Sequence, residues 1–182
     1  MSRSRSFTSS VFIGVSLDGF IARTDGDLDW LTSRGAAAGG DLGYQEFIDG
    51  IDAVVVGRGT YEPGLTYDPW PHEGRHVAVL STTLPIGADP RVSVHRDLDD
   101  LVRDLEERGV KSVYADGGQV VRAFLRAGLI DEMTITTVPV LIGTGLPLFG
   151  PLERDIPLTH LSTKVFGAGV VQSTYAVGDR PE

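Results

Sequence analysis

The sequence predicts an α/β fold: a mostly parallel central sheet, helices on both faces, and an antiparallel hairpin at the C-terminal end. Three observations carry this. Short apolar runs at residues 11–15, 53–56, 76–80, 92–94 and 112–115 read as buried strands. Helical patterns stand between several of them, and strands that alternate with helices assemble in parallel. Two further β-rich runs, 158–166 and 170–177, flank Gly167, Ala168 and Gly169, which reads as a hairpin with a three-residue turn. The 182 residues fit one domain, 1–182, able to bury a core without staples.

Taken in order, residues 1–9 read as a flexible basic tail carrying Arg3 and Arg5. The apolar run after it is too short for a signal peptide, and Asp18 closes it. Residues 16–40 are polar and rich in Gly and Asp, and read as a loop. Leu42, Tyr44, Phe47 and Ile48 fall at helical spacing, with Gly50 placed to cap that helix. Gly57 ends the second strand, and a short helix follows. Asp97 is a good N-cap, because its carboxylate accepts from free N–H groups of the first turn. Leu98, Leu101, Val102 and Leu105 then form one apolar stripe, ended by Gly109. The next helix carries Val120, Val121, Phe124 and Leu125 on one face and stops at Gly128. Residues 133–138 are β-rich. Residues 139–157 hold four Pro and three Gly and read as a structured loop.

Composition narrows the chemistry. With no Cys, disulfides and thiolate catalysis are excluded, which suits a cytoplasmic protein. A formal charge of -9 argues against nucleic acid and anionic membrane as partners. A small phosphate ligand can still be drawn to a local basic site. The four His lack metal-ligand spacing, and Asp25-Gly26-Asp27-Leu28-Asp29 lacks the spacing and bidentate Glu of an EF-hand, so no metal is expected. No GxSxG is present, which argues against acyl transfer.

Four segments could carry chemistry. The strand ending Val56-Gly57 runs into Arg58-Gly59-Thr60, where glycine permits close backbone approach and Arg58 offers bidentate charge to a phosphate. The alternative is a tight turn with a solvated Arg. Ser81 and Thr82 follow a strand end, where α/β sheets bind ligands, or simply form a polar turn. Asp116-Gly117-Gly118-Gln119-Val120 reads as strand, glycine pair and helix start, a geometry that aims N–H groups at an anion and also occurs as an ordinary turn. Finally, Asp18, Asp27 and Trp30 lie in an acidic stretch beside a large aromatic. That stretch reads as a substrate lip or as a solvated loop whose Trp covers the core.

The order of these segments is more specific than any one of them. An opening strand with Ser16-Leu17-Asp18-Gly19, then Gly57-Arg58 with Thr60-Tyr61-Glu62, Leu80-Ser81-Thr82, Asp116-Gly117-Gly118 and a helix ending Ala127-Gly128-Leu129-Ile130-Asp131-Glu132 resembles the dihydrofolate-reductase-like family. The likeness covers nearly the whole chain. It is closest to the branch containing the reductase domain of bacterial riboflavin biosynthesis, which the run from Pro139 to Phe149 also resembles. The acidic residue near Trp and Pro that anchors pterin in true dihydrofolate reductases has no match here. Asp18-Gly19 and Asp27-Leu28-Asp29-Trp30 resemble the riboflavin-type branch instead.

The resemblance implies an NADPH-dependent oxidoreductase that passes hydride to a small pterin-like or pyrimidine-like heterocycle. It implies that Gly57, Arg58 and Thr60 hold phosphates, that Ser81 and Thr82 meet the adenosine side, and that Gly117, Gly118, Gln119 and Val120 present a helix N-terminus to the pyrophosphate. Gly14 and Val15 would lie against the nicotinamide, with Asp27 and Trp30 on the substrate. It implies a cis peptide at Gly117–Gly118 and a homodimer. Asp18 is the candidate proton donor, a role for which burial should raise its pKa. Two competing readings remain: a non-catalytic nucleotide-binding module, and a flavin-binding protein of the same fold.

Overall fold

A computed structural model describes residues 5–178. In chain order the elements are β1 (Thr8–Ser16), β2 (Phe20–Ala22), α1 (Asp29–Ala38), α2 (Tyr44–Asp49), β3 (Ala53–Gly57), α3 (Arg58–Gly64), β4 (His76–Leu80), β5 (Val92–His95), α4 (Leu98–Glu107), β6 (Ser112–Asp116), α5 (Gly118–Arg126), β7 (Glu132–Val138), β8 (Leu146–Pro147), β9 (Leu158–Val165) and β10 (Val171–Val177), with a 3-10 turn at Gly167–Gly169 before β10. The main sheet runs β5-β4-β3-β6-β1-β7-β10-β9, and β2 pairs with β8 separately. The first six strands of that order pair in parallel, and β10 is antiparallel to both β7 and β9. The predicted architecture is the observed one.

Strand alternation divides the core into two layers, since successive side chains point to opposite faces. Ala53 and Val55 of β3 face Leu101 and Leu105 of α4 and Val121 and Phe124 of α5. Val54 and Val56 turn the other way, toward Ile48 of α2 and Tyr61 of α3. This is why the parallel strands read as unbroken apolar runs. Both faces are covered, so apolar residues dominate, and a buried polar one such as Ser9 of β1 hydrogen-bonds to the Leu129 carbonyl. Asp97 caps α4 as expected, accepting from the Asp100 N–H at 2.8 Å. Gly109 and Gly128 take φ of 71° and 67°, values that a side chain would resist.

Three sequence expectations are corrected. Residues 1–4 lie outside the described residues, but the rest of the expected tail is part of the fold. Phe7 is buried, β1 begins at Thr8, and Arg5 pairs with Asp131 and donates to the Phe7 and Gly128 carbonyls. The loop expected at 16–40 contains β2 and α1. Helix α1 lacks a side-chain N-cap and an apolar stripe, with only Trp30 and Ala38 buried, so neither usual signal marks it. The peptide at Gly117–Gly118 is trans. The chain makes that turn by placing Gly117 at φ 92° and ψ 143°.

Candidate active site

The C-terminal ends of β3, β4 and β6 open side by side, and the chain leaves each toward α3, the β4–β5 connection or α5. A groove of about 670 Å³ lies there, lined by Arg58, Gly59, Ser81, Thr82, Arg96, Gln119, Val120, Arg122 and Arg126 among others. Four guanidinium groups thus meet two carboxylates, Glu62 and Asp97, in a chain whose formal charge is -9. Arg58 is held by Glu62 at 2.6 Å and donates to the Thr83 hydroxyl at 3.0 Å. Arg96 donates to the Ser81 carbonyl at 2.5 Å, and Arg122 to the Pro147 carbonyl.

The sequence-predicted residues divide between this groove and elsewhere. Arg58, Ser81, Thr82, Gln119 and Val120 line it. A Cβ on Gly59 would meet nothing within 4 Å, so glycine leaves open space in the groove wall. Gly57 has extended backbone, and a Cβ there would make only an ordinary contact with Val120 at 3.7 Å. The folded chain therefore does not itself demand glycine at position 57. The glycine pair is different. A Cβ on Gly117 would lie 2.5 Å from the Thr60 hydroxyl, and one on Gly118 2.8 Å from the Pro147 carbonyl. Close packing within the protein thus explains both. The Ser81 hydroxyl accepts from the Thr83 and Leu84 N–H groups, which makes it a turn-former as well as a lining residue. Val120 is in the core, so only its backbone can serve a ligand.

Gly14, Val15, Asp27 and Trp30 are not in the groove. Leu31 of α1 covers Gly14, so close that a Cβ there would sit 2.6 Å from its Cδ1. Val15 belongs to the core. Asp27 is exposed and accepts from the Asp29 N–H. Trp30 is not a lip: it is buried, and its indole N–H has no hydrogen-bond partner.

Asp18 is also corrected. Its carboxylate is exposed and accepts from the N–H groups of Gly143 at 2.8 Å and Ile142 at 3.3 Å. The Ser16 hydroxyl, then these two N–H groups, hold its pKa below the ordinary value. Such a group stays ionised and ties a loop; it is poorly suited to give up a proton.

Asp116, at the end of β6, has the property expected of Asp18. Burial pushes its carboxyl up to about 6, against the pull of the Tyr114 hydroxyl and the Gly117 N–H. Tyr114 donates to the Phe12 carbonyl at 2.9 Å, and burial followed by Asp116 raises its own pKa. The Phe47 ring stacks on Phe12 at 4.9 Å and meets Tyr114 edge-on at 5.0 Å. Tyr44 also feels the Asp116 charge, after burial. An apolar aromatic wall thus keeps one carboxyl protonatable near neutral pH.

Sequence reasoning missed Arg96, Arg122, Arg126 and the titration of Asp116. Arg122 and Arg126 had a signal, since they sit four apart on α5, away from its apolar stripe. The aromatic wall had none, because it is assembled from β1, α2 and β6.

Residues 10–172 match the family described as the RibD C-terminal domain, and the chain belongs to that family. It is 34% identical over 163 residues to the uncharacterized protein YwjB of Bacillus subtilis, covering 88% of this chain and 92% of that one. Among solved structures, a "Putative riboflavin biosynthesis protein" from Shewanella sp. PV-4 superposes with TM-score 0.85 at 37% identity, covering 95% of this chain and all 100% of that one. The diaminohydroxyphosphoribosylaminopyrimidine deaminase/5-amino-6-(5-phosphoribosylamino)uracil reductase of Thermotoga maritima gives 0.71 at 20% identity, covering 94% of this chain and 56% of that one. Dihydrofolate reductase from Enterococcus faecalis, complexed with NADP(H), gives 0.68 at 16% identity, covering 96% and 99%. The last two show the fold alone, and it is the dihydrofolate-reductase-like fold.

Proposed function

We propose that this protein is an NADPH-dependent reductase of a small pyrimidine-like or pterin-like heterocycle. The observation that carries the reading is the four-arginine groove at the C-terminal ends of parallel strands, in a chain otherwise strongly acidic. Ligands of α/β sheets bind at such strand ends. A guanidinium offers two parallel donors to a phosphate, and the N-terminus of α5 adds backbone N–H groups. In this reading Arg58, with Thr82 and Arg96, holds the 2′-phosphate side. Gln119 and the backbone of Gly117, Gly118 and Val120 hold the pyrophosphate, and Gly57, Gly59 and Thr60 allow the close approach.

The bound cofactor would supply a hydride donor; the chain supplies orientation, a dry wall and a proton. Asp116 is the proton donor, because it is the carboxyl that its surroundings keep partly protonated near neutral pH. Asp18 instead keeps the 142–143 turn in place. We extend the reading to a cytoplasmic homodimer. Strand β9, exposed along its whole length with Leu158, Leu161 and Val165 open, supports a pairing surface.

The test is fluorescence titration with NADPH and NADH. Losing a charge-assisted contact is worth about 1.5–3 kcal/mol, or roughly 10- to 100-fold in affinity. Arg58→Ala is expected to weaken NADPH by about tenfold or more and NADH much less. Equal weakening of both removes the 2′-phosphate assignment. Failure of the folded protein to bind either removes the reductase reading.

A further inference from the structure

We propose that the substrate of this site carries no phosphate: the chain takes a neutral or cationic, unphosphorylated heterocycle. The inference rests on the reductase reading and deepens it by naming the substrate class.

The argument starts from where the charges are. The groove assigned to the cofactor takes Arg58, Arg96, Arg122 and Arg126. Residues 16–49 pack over the β1 side of Asp116. Leu31 of α1 lies on Gly14, Phe47 of α2 stacks on Phe12, and Tyr44 meets Tyr114 edge-on at 6.4 Å. Asp18 fastens the same segment to the 142–143 turn. This stretch holds seven carboxylates (Asp18, Asp25, Asp27, Asp29, Asp41, Glu46 and Asp49) against two arginines, a formal charge of -5.

Three of these carboxylates are held in the anionic form by their partners. Asp29 is held below the ordinary value by Arg23, Asp41 by the N–H groups of Gln45 and Gly43, and Asp18 as described above. The cations on this side are committed or outnumbered. Arg23 binds Asp29 at 2.7 and 3.2 Å, and Arg75 donates to the Ile48 carbonyl at 3.0 Å and lies 3.8 Å from Asp49. Arg34 of α1 remains, one guanidinium in that acidic field. A phosphate dianion entering here moves into a field of its own sign, while the four arginines of the groove serve the cofactor. Phe12, Tyr44 and Phe47 are only partly buried, and their rings suit a planar uncharged ring. The chain therefore departs from the phosphoribosyl compound named for the Thermotoga protein.

The experiment uses the full chain loaded with NADPH, whose binding is measured first so that failure of the reductase reading is seen separately. Two probes are titrated calorimetrically: 5-amino-6-(5-phosphoribosylamino)uracil, and the riboside left after phosphatase treatment. The riboside is expected to bind at least about tenfold more tightly at low ionic strength. Screening should narrow that gap at high salt. So should the double variant Asp25→Asn/Asp27→Asn, whose amides keep an acceptor oxygen while losing charge. Binding of the phosphorylated compound with equal or greater affinity overturns the proposal, as does binding of neither probe.

Discussion

Asp116 makes the sharpest statement at the scale of a single residue. An ordinary aspartate titrates near 3.9, about two units below its value here. A raised folded-state pKa means that folding favours the neutral carboxyl. The stability it contributes is complete below about pH 4 and is lost as pH rises through about 6. Two units correspond to at most about 3 kcal/mol, and the side chain's remaining exposure reduces that. Asp116→Asn removes the titration. In urea melts the variant should gain about 1–2 kcal/mol over wild type at pH 8 and nothing at pH 4. Its single-turnover hydride transfer should fall by about 10²–10⁴-fold, the usual range for losing a positioned acid, whereas Asp18→Asn should stay within a few-fold of wild type. The reverse ranking of the two variants would return the proton to Asp18. Both aspartates were visible in the sequence beside glycines. What was not visible was burial, because Tyr44 comes from α2, far along the chain, to pack beside Tyr114 and Asp116. Charge near a strand end was legible; the medium around it was not.

Among the elements, α1 shows how local signals fail while packing succeeds. Its sequence has no capping side chain and no apolar stripe, so periodicity gives nothing to read. Its place is set instead by Leu31 against Gly14 and by the burial of Trp30. By contrast α4 and α5, with clear stripes and terminating glycines, were legible from spacing alone. The α1 contact can be tested directly. Gly14→Ala pushes a Cβ into Leu31, and crowding of this kind typically costs about 1–3 kcal/mol. Leu31→Ala alone loses burial. The double variant Gly14→Ala/Leu31→Ala should be more stable than the sum of the two predicts, by about 0.5–2 kcal/mol, as expected for residues in contact. Simple additivity in chemical denaturation would mean that Leu31 does not rest on Gly14 in solution. The nicotinamide role expected of Gly14 came from the family resemblance, whereas the contact seen at this strand glycine is with α1. Glycine marks close approach, but sequence does not say of what, and here it is a neighbouring helix.

The whole molecule sets two electrostatic effects against each other. Its formal charge of -9 repels a polyanionic cofactor from a distance, while the four arginines of the groove attract it at contact. The sequence revealed the first effect by counting. The second depends on topology, which brings α3, the β5–α4 turn and α5 together at one sheet end. Range decides between them. At about 0.1 M salt the Debye length is about 10 Å, so repulsion from distant carboxylates is already screened, whereas contacts inside the groove are not. Raising salt from about 0.1 to about 0.5 M should therefore weaken NADPH binding, by about three- to tenfold, as the contacts themselves become screened. NADH, without the 2′-phosphate, should weaken less. If binding tightened with salt, net charge would be the controlling term. The arginines would then not be meeting phosphates, even though the fold places them together.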